Sequence, residues 1–297
     1  MTAVQKRKAM IVQRILALPL ALTAAICSGA ETQTAARADG GLTISQPLEV
    51  IVLAGQSNAQ GWMGDGRKYP AAGQDARIPF RWMIPGHNAM RGGESQRGAG
   101  WGTLGPQNGI CGYGNPVLHF GPEVGLARTL AQAGRHVAVI KVTIGATSLN
   151  GDWRLPGQGG FTDAMLAEVK QAMADLARSG RKARLRGFVW IQGESDADTD
   201  PHAQGYRVLL TKFVAGLRRE WREPELAVVL GMDEQHPGPV ARPQVVEAQK
   251  AIARADRHAA FVSMRGLPKA DVSHLTNDGL LQHGERIAGA LQGLLCK

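Results

Sequence analysis

The sequence predicts an α/β fold: a three-layer α/β/α sandwich around a central parallel sheet of about five strands. Two observations carry this. From Glu49 onward, short apolar runs rich in Val and Ile alternate with longer segments whose apolar residues recur at helical spacing. Strands alternating with helices make a parallel sheet covered on both faces. Several of the apolar runs also stop at a glycine followed by a short polar segment, and in open parallel sheets ligands bind beyond such carboxyl ends.

Residues 1–38 read as a leader outside the fold. Lys6, Arg7 and Lys8 give a positive start, Ile15 to Cys27 is an apolar run of signal-peptide length, and Ala36-Arg37-Ala38 fits a small-x-small cleavage site, with Ser28-Gly29-Ala30 a second candidate. Cys27 follows Ile26, where a lipoprotein signal needs a small residue, so lipidation is not expected. The expectation is export to the periplasm or medium, without stable membrane association after cleavage. The formal charge of +9 includes five Lys/Arg and one Glu in this segment, so its removal leaves +5. The remaining basic residues lack aromatic interleaving or a recognition motif, which argues against a nucleic-acid partner. Cys111 and Cys296 then remain as a pair in an oxidising compartment, where one disulfide could tie the C-terminal helix to the central loop; spacing alone does not show that they meet.

Residues 39–297 read as one domain with no repeat or linker. Its first strand begins at Glu49 and breaks at Gly55, and Gln56, Ser57 and Asn58 follow. A serine there either caps a helix or faces the crevice. Residues 61–116 form a long Gly-, Pro- and Trp-rich insertion, read as ordered because Trp62, Trp82 and Trp101 need something to pack on. A helix from Pro122 to Gly134 precedes a strand from His136 to Thr143, which stops at Gly145. A helix over 162–178 leads to a strand over 187–191, closed by Gln192-Gly193-Glu194-Ser195-Asp196. Helices over 206–221, 240–255 and 280–295 and strands over 226–230 and 260–264 complete the chain.

Before the last helix stands Asp271-Val272-Ser273-His274. Asp and His three apart on a turn can share a face, the carboxylate accepting one imidazole N–H and leaving the other nitrogen free to take a proton from a serine. No G-x-S-x-G elbow, Walker loop or H-E-x-x-H is present. Asp196, Asp198 and Asp200 begin like a calcium loop, but Pro201 replaces its glycine and Arg207 its bidentate Glu, so the segment reads as solvated acid.

These blocks together resemble the SGNH/GDSL hydrolase superfamily, in particular its carbohydrate acetylesterases of the sialate O-acetylesterase-like and acetylxylan esterase (carbohydrate esterase family six) branch. The residues that carry the resemblance are G-Q-S-N at 55–58, I-G-A-T-S-L at 144–149, W-I-Q-G-E-S-D at 190–196 and D-V-S-H at 271–274. The resemblance implies a flavodoxin-like sandwich without metal or cofactor. It implies Ser57 as nucleophile, His274 as base, Asp271 as its orienter, and an oxyanion hole of the Ser57 and Gly145 N–H groups and the Gln192 side chain. Gln192 stands where the wider superfamily has Asn, so its reach depends on the backbone. Gln56, Asn58 and Glu194 are supporting residues; Glu194 is given a structural role, buttressing the Ser57 turn or orienting His274. The implied function is a serine esterase that removes O-acetyl groups from carbohydrate, its partner being the acetylated sugar. The alternatives are a lipase or thioesterase of the same superfamily and a non-catalytic carbohydrate-binding relative.

Overall fold

The computed structural model describes residues 46–86 and 94–296. The leader expected over 1–38, Cys27 included, lies outside the described residues.

Strand β1 (Leu48–Gly55) is buried along almost its whole length. Its side chains alternate between two cores, as a strand covered on both faces requires. Val50, Val52 and Ala54 enter one; Ile51 and Leu53 enter the other. A short turn, α1 (Ser57–Gln60), follows at once. The insertion then gives β2 (Pro79–Ile84), two-residue strands β3 (Gln96–Arg97) and β4 (Gly102–Thr103), and a separate hairpin of β5 (Gln107–Cys111) and β6 (Gly114–His119). After these come α2 (Glu123–Gln132), β7 (Val137–Thr143), α3 (Phe161–Arg178), β8 (Ala183–Ile191) and α4 (Asp200–Trp221). The chain ends with β9 (Ala227–Met232), α5 (Pro237–Ala241), α6 (Gln244–Ala255), β10 (Ala259–Ser263) and α7 (Asn277–Leu295).

The sheet order is β10-β9-β8-β1-β7-β2-β3, parallel from β10 through β2. Helices α3, α4 and α6 cover the first core and α2 and α7 the second. The five predicted strands are β1, β7, β8, β9 and β10. A sixth parallel strand, β2, lies inside the insertion. Its sequence hides it, because Arg81 interrupts the apolar run and is nevertheless buried. Arg81 Nε donates to Glu168 at 2.5 Å and Nη1 to Asp175 at 2.6 Å, both on α3. Buried charge paired this way is tolerated where lone charge would not be.

Cys111 is a buried free thiol, so the Cys111–Cys296 disulfide does not form. The geometry explains it. The first residue of α7, Asn277, bonds Asp65 beside the hairpin, and Cys296 follows the other end of this 19-residue helix, about 28 Å away at 1.5 Å per residue.

His283 on α7 is fully buried with neither ring nitrogen hydrogen-bonded, and burial pushes its pKa down to about 3. The unfolded chain therefore binds a proton near pH 6.5 that the folded chain refuses. The contribution to stability is complete above about pH 6.5 and falls by up to about 1.4 kcal/mol per pH unit as acid is added toward the folded pKa. Urea unfolding of His283→Leu should show a shallower loss between neutral pH and pH 4 than the wild type; parallel curves would contradict this.

Candidate active site

The chain reverses direction across the sheet at β1, whose neighbours are β7 on one side and β8 on the other. At such a switch point the loops beyond the strand ends diverge and leave a crevice. Gly55 ends β1 at φ +137°, and a Cβ there would stand 2.0 Å from the Ile191 carbonyl oxygen, so only glycine fits.

The three residues after it divide the work. The Asn58 side chain grips the loop of His274, its Nδ2 donating to the Ser273 carbonyl at 2.9 Å and its Oδ1 accepting the Leu275 N–H at 3.1 Å. Gln56 reaches the other way, its Oε1 accepting the N–H groups of Gly193 and Ser195 at 3.4 and 3.3 Å. Ser57 sits between these two grips, half-buried, and its Oγ makes no hydrogen bond among the described residues.

His274 Nδ1 lies 2.9 Å from Asp271 Oδ2. Asp271 also accepts the backbone N–H groups of Ser273 and His274 at 2.7 and 2.8 Å. Partial burial works to raise the Asp271 pKa, but these bonds outweigh it and hold the carboxyl below its ordinary value. An ionised Asp271 keeps the proton on Nδ1 and leaves Nε2 as an acceptor. Ser57 and His274 line one cavity of about 390 Å³ with Trp62, Gly145 and Glu194. No hydrogen bond joins the Ser57 hydroxyl to the His274 imidazole; catalytic contacts of this kind often tighten only around the substrate. The indole of Trp62 lies 6.4 Å from the His274 ring, centroid to centroid. Of the insertion's tryptophans only Trp62 reaches the cavity; Trp82 and Trp101 pack against the core, and Trp101 Nε1 donates to the Ala172 carbonyl.

Two of the three expected oxyanion donors are committed elsewhere. Gly145 N–H donates to Gln60 Oε1 at 2.8 Å. Gln192 is fully buried, and its Nε2 donates to the Thr147 carbonyl at 3.0 Å and to Asp196 at 2.6 Å. The extra methylene of Gln carries the amide beneath the loop it supports rather than into the cavity. Asp196 is correspondingly not solvated: it is buried, accepting the Leu149 and Asn150 N–H groups as well, while Asp198 and Asp200 are exposed. Three other donors, on residues that line the cavity, have no acceptor among the described residues: the Ser57 N–H at the open end of α1, the Ala146 N–H, and Gln56 Nε2. The two N–H groups that Gln56 accepts fix which end of its amide is oxygen, and so which end is free to donate. Ala146 holds φ +57°, a conformation that costs a side chain energy and is kept where the surroundings impose it.

Glu194 is buried, and burial pushes its pKa up to about 7 against the pull of the Asp233 N–H it accepts at 3.0 Å. Asp233 in turn accepts Lys269 Nζ at 2.5 Å, and Lys269 is bridged to Leu275 beside His274. Glu194 thus stands behind the loop of the imidazole. His236 also lines the cavity; a lone histidine before Pro237 carries no sequence signal that it would arrive there.

The sequence profile of a carbohydrate esterase family described as sialic acid-specific acetylesterase matches residues 47–293. None of the curated proteins matches the chain. Among solved structures, an Arabidopsis thaliana protein is 18% identical with TM-score 0.60, over 84% of this chain and 100% of that one. NanS is 14% identical with TM-score 0.60, over 83% and 97%. A carbohydrate acetylesterase from Xanthomonas citri is 19% identical with TM-score 0.52, over 83% and 56%. At these identities the likeness is one of fold, an α/β arrangement with a mostly parallel sheet flanked by helices.

Proposed function

The chain belongs to this sialic acid-specific acetylesterase family of carbohydrate esterases, and from that premise we propose that it is an exported serine esterase removing O-acetyl groups from carbohydrate through an acetyl–Ser57 intermediate. The observation that carries the reading is the Asp271–His274 pair at 2.9 Å on a cavity shared with Ser57. Ser57 Oγ attacks the acetyl carbonyl carbon while His274 Nε2 takes its proton, and Asp271 stabilises the imidazolium. The charge that develops on the carbonyl oxygen meets the Ser57 N–H and Gln56 Nε2, with the Ala146 N–H on the same wall. The tetrahedral intermediate collapses with loss of the sugar oxygen, which receives the proton from His274. Water, deprotonated by His274, then attacks the acetyl-enzyme and releases acetate. The cavity lining includes Gln56, Glu194, Ser195, Asp198 and His236, polar groups that suit a sugar ester better than a long acyl chain, which favours this reading over a lipase or thioesterase.

Acetate release across a panel of acetylated carbohydrates, with octanoate esters as control, tests the proposal. The wild type should release acetate and act poorly on octanoate. In the same assay Gln56→Glu, which keeps the acceptor oxygen but loses the donor, should lower kcat by about 10²- to 10³-fold. Turnover of octanoate alone, or an unchanged kcat in the variant, would contradict the scheme.

A further inference from the structure

The cavity has a wall that the acyl-transfer steps do not use. His236 Nδ1 accepts the Gly238 N–H at 3.1 Å, so a neutral ring carries its proton on Nε2. Burial favours that neutral form and, with smaller pushes from Lys269 and His274, lowers the imidazole pKa against the opposing pull of Asp233 and Asp198. Asp198 lines the same wall, is exposed, and accepts no hydrogen bond among the described residues. Its backbone is held in place, because Arg242 Nη1 donates to the Ala197 carbonyl at 3.0 Å and Arg242 Nε to Asp200 at 2.5 Å. One wall therefore offers an N–H donor on a ring held by Gly238 and an unengaged carboxylate acceptor on a held backbone. The described residues lining the cavity include the carboxyl groups of Glu194 and Asp198, and neither Lys nor Arg.

We propose that His236 and Asp198 form a subsite for free hydroxyl groups of a neutral sugar, next to the acetylated position, and that Asp198 disfavours sugars bearing a carboxylate. A sugar hydroxyl is both donor and acceptor, so it satisfies Asp198 through its proton and His236 through its lone pairs. A sugar carboxylate would leave Asp198 without a proton to accept and would meet like charge in a cavity whose described lining holds no cation. The inference rests on the acetylesterase reading and narrows its substrate to acetylated neutral glycans.

The test compares kcat/KM for an O-acetylated xylo-oligosaccharide, an O-acetylated sialic acid and p-nitrophenyl acetate, which carries no sugar. The wild type should favour the xylo-oligosaccharide over the sialic acid. Asp198→Asn should raise KM for the xylo-oligosaccharide about tenfold, the worth of one charge-assisted hydrogen bond, and narrow the gap to the sialic acid. His236→Asn keeps an oxygen to accept the Gly238 N–H, since Asn is a good helix cap, but removes the Nε2 donor. It should lower the ratio of xylo-oligosaccharide to p-nitrophenyl acetate activity by about tenfold. Equal effects of both variants on all three substrates, or a wild type that prefers the sialic acid, would overturn the subsite while leaving the esterase reading in place. A wild type inactive on all three would overturn the esterase reading and this inference with it.

Discussion

Replacing Ser57 by alanine should lower the turnover of an activated acetate ester by about 10⁴- to 10⁶-fold, the loss seen when a serine nucleophile is removed from an acyl-transfer triad. The residual activity should come from the oxyanion donors and binding alone. Stability should stay close to that of the wild type, because Ser57 Oγ makes no hydrogen bond among the described residues and its removal orphans no buried group. His274→Ala should cost a similar factor, and the double variant little more, since nucleophile and base act as one unit. Stopped assays with p-nitrophenyl acetate, alongside thermal unfolding, check both halves. Turnover within tenfold of the wild type in Ser57→Ala would remove the nucleophile from the scheme.

The second large effect falls on stability. Lys141 on β7 is fully buried, its Nζ donating to Glu123 Oε2 at 2.8 Å and to the Gln60 carbonyl at 2.9 Å. Glu123 also accepts the Gly121 N–H at 2.8 Å. Burial lowers the Lys141 pKa and Glu123 pulls it back up. The pair thus fastens the sheet to the turn that carries Ser57, because Gln60 closes that turn and also accepts the Gly145 N–H. Lys141→Met leaves the Glu123 carboxylate buried without its partner, which costs about 3–5 kcal/mol. Adding Glu123→Gln, which removes the charge but keeps an acceptor for Gly121, should recover a substantial part of that loss. Denaturant unfolding of the two variants checks this; a single variant as stable as the wild type would show that the pair does not hold the turn.

The strands were legible because they are apolar on both sides and end at glycine, a pattern that needs no knowledge of partners. The sixth strand was not, since Arg81 reads as a surface residue until α3 brings Glu168 and Asp175 to it, 87 and 94 positions away. The same limit governs the site. Residues Ser57, Asp271 and His274 could be picked out by type and spacing, and Asp271 and His274 are near enough in sequence for their contact to follow. The expected roles of Gly145 and Gln192 depended instead on where an N–H and an amide point, and Gln60, Thr147 and Asp196 decide that. Asn58 and Gln56 flank Ser57 in sequence, but the groups they grip lie 215 and 137 positions away. His236 had no motif at all; the fold alone delivers it to the cavity.

Acyl transfer through Ser57 is tested most directly by catching the acyl group there. The enzyme is quenched in acid during turnover of p-nitrophenyl acetate, digested, and its peptides mapped by mass spectrometry. An acetyl group on Ser57, absent from Ser57→Ala and from enzyme quenched after the substrate is exhausted, is the predicted result. Steady turnover with Ser57 unmodified under every quench, or acetyl found only on another residue, would contradict it.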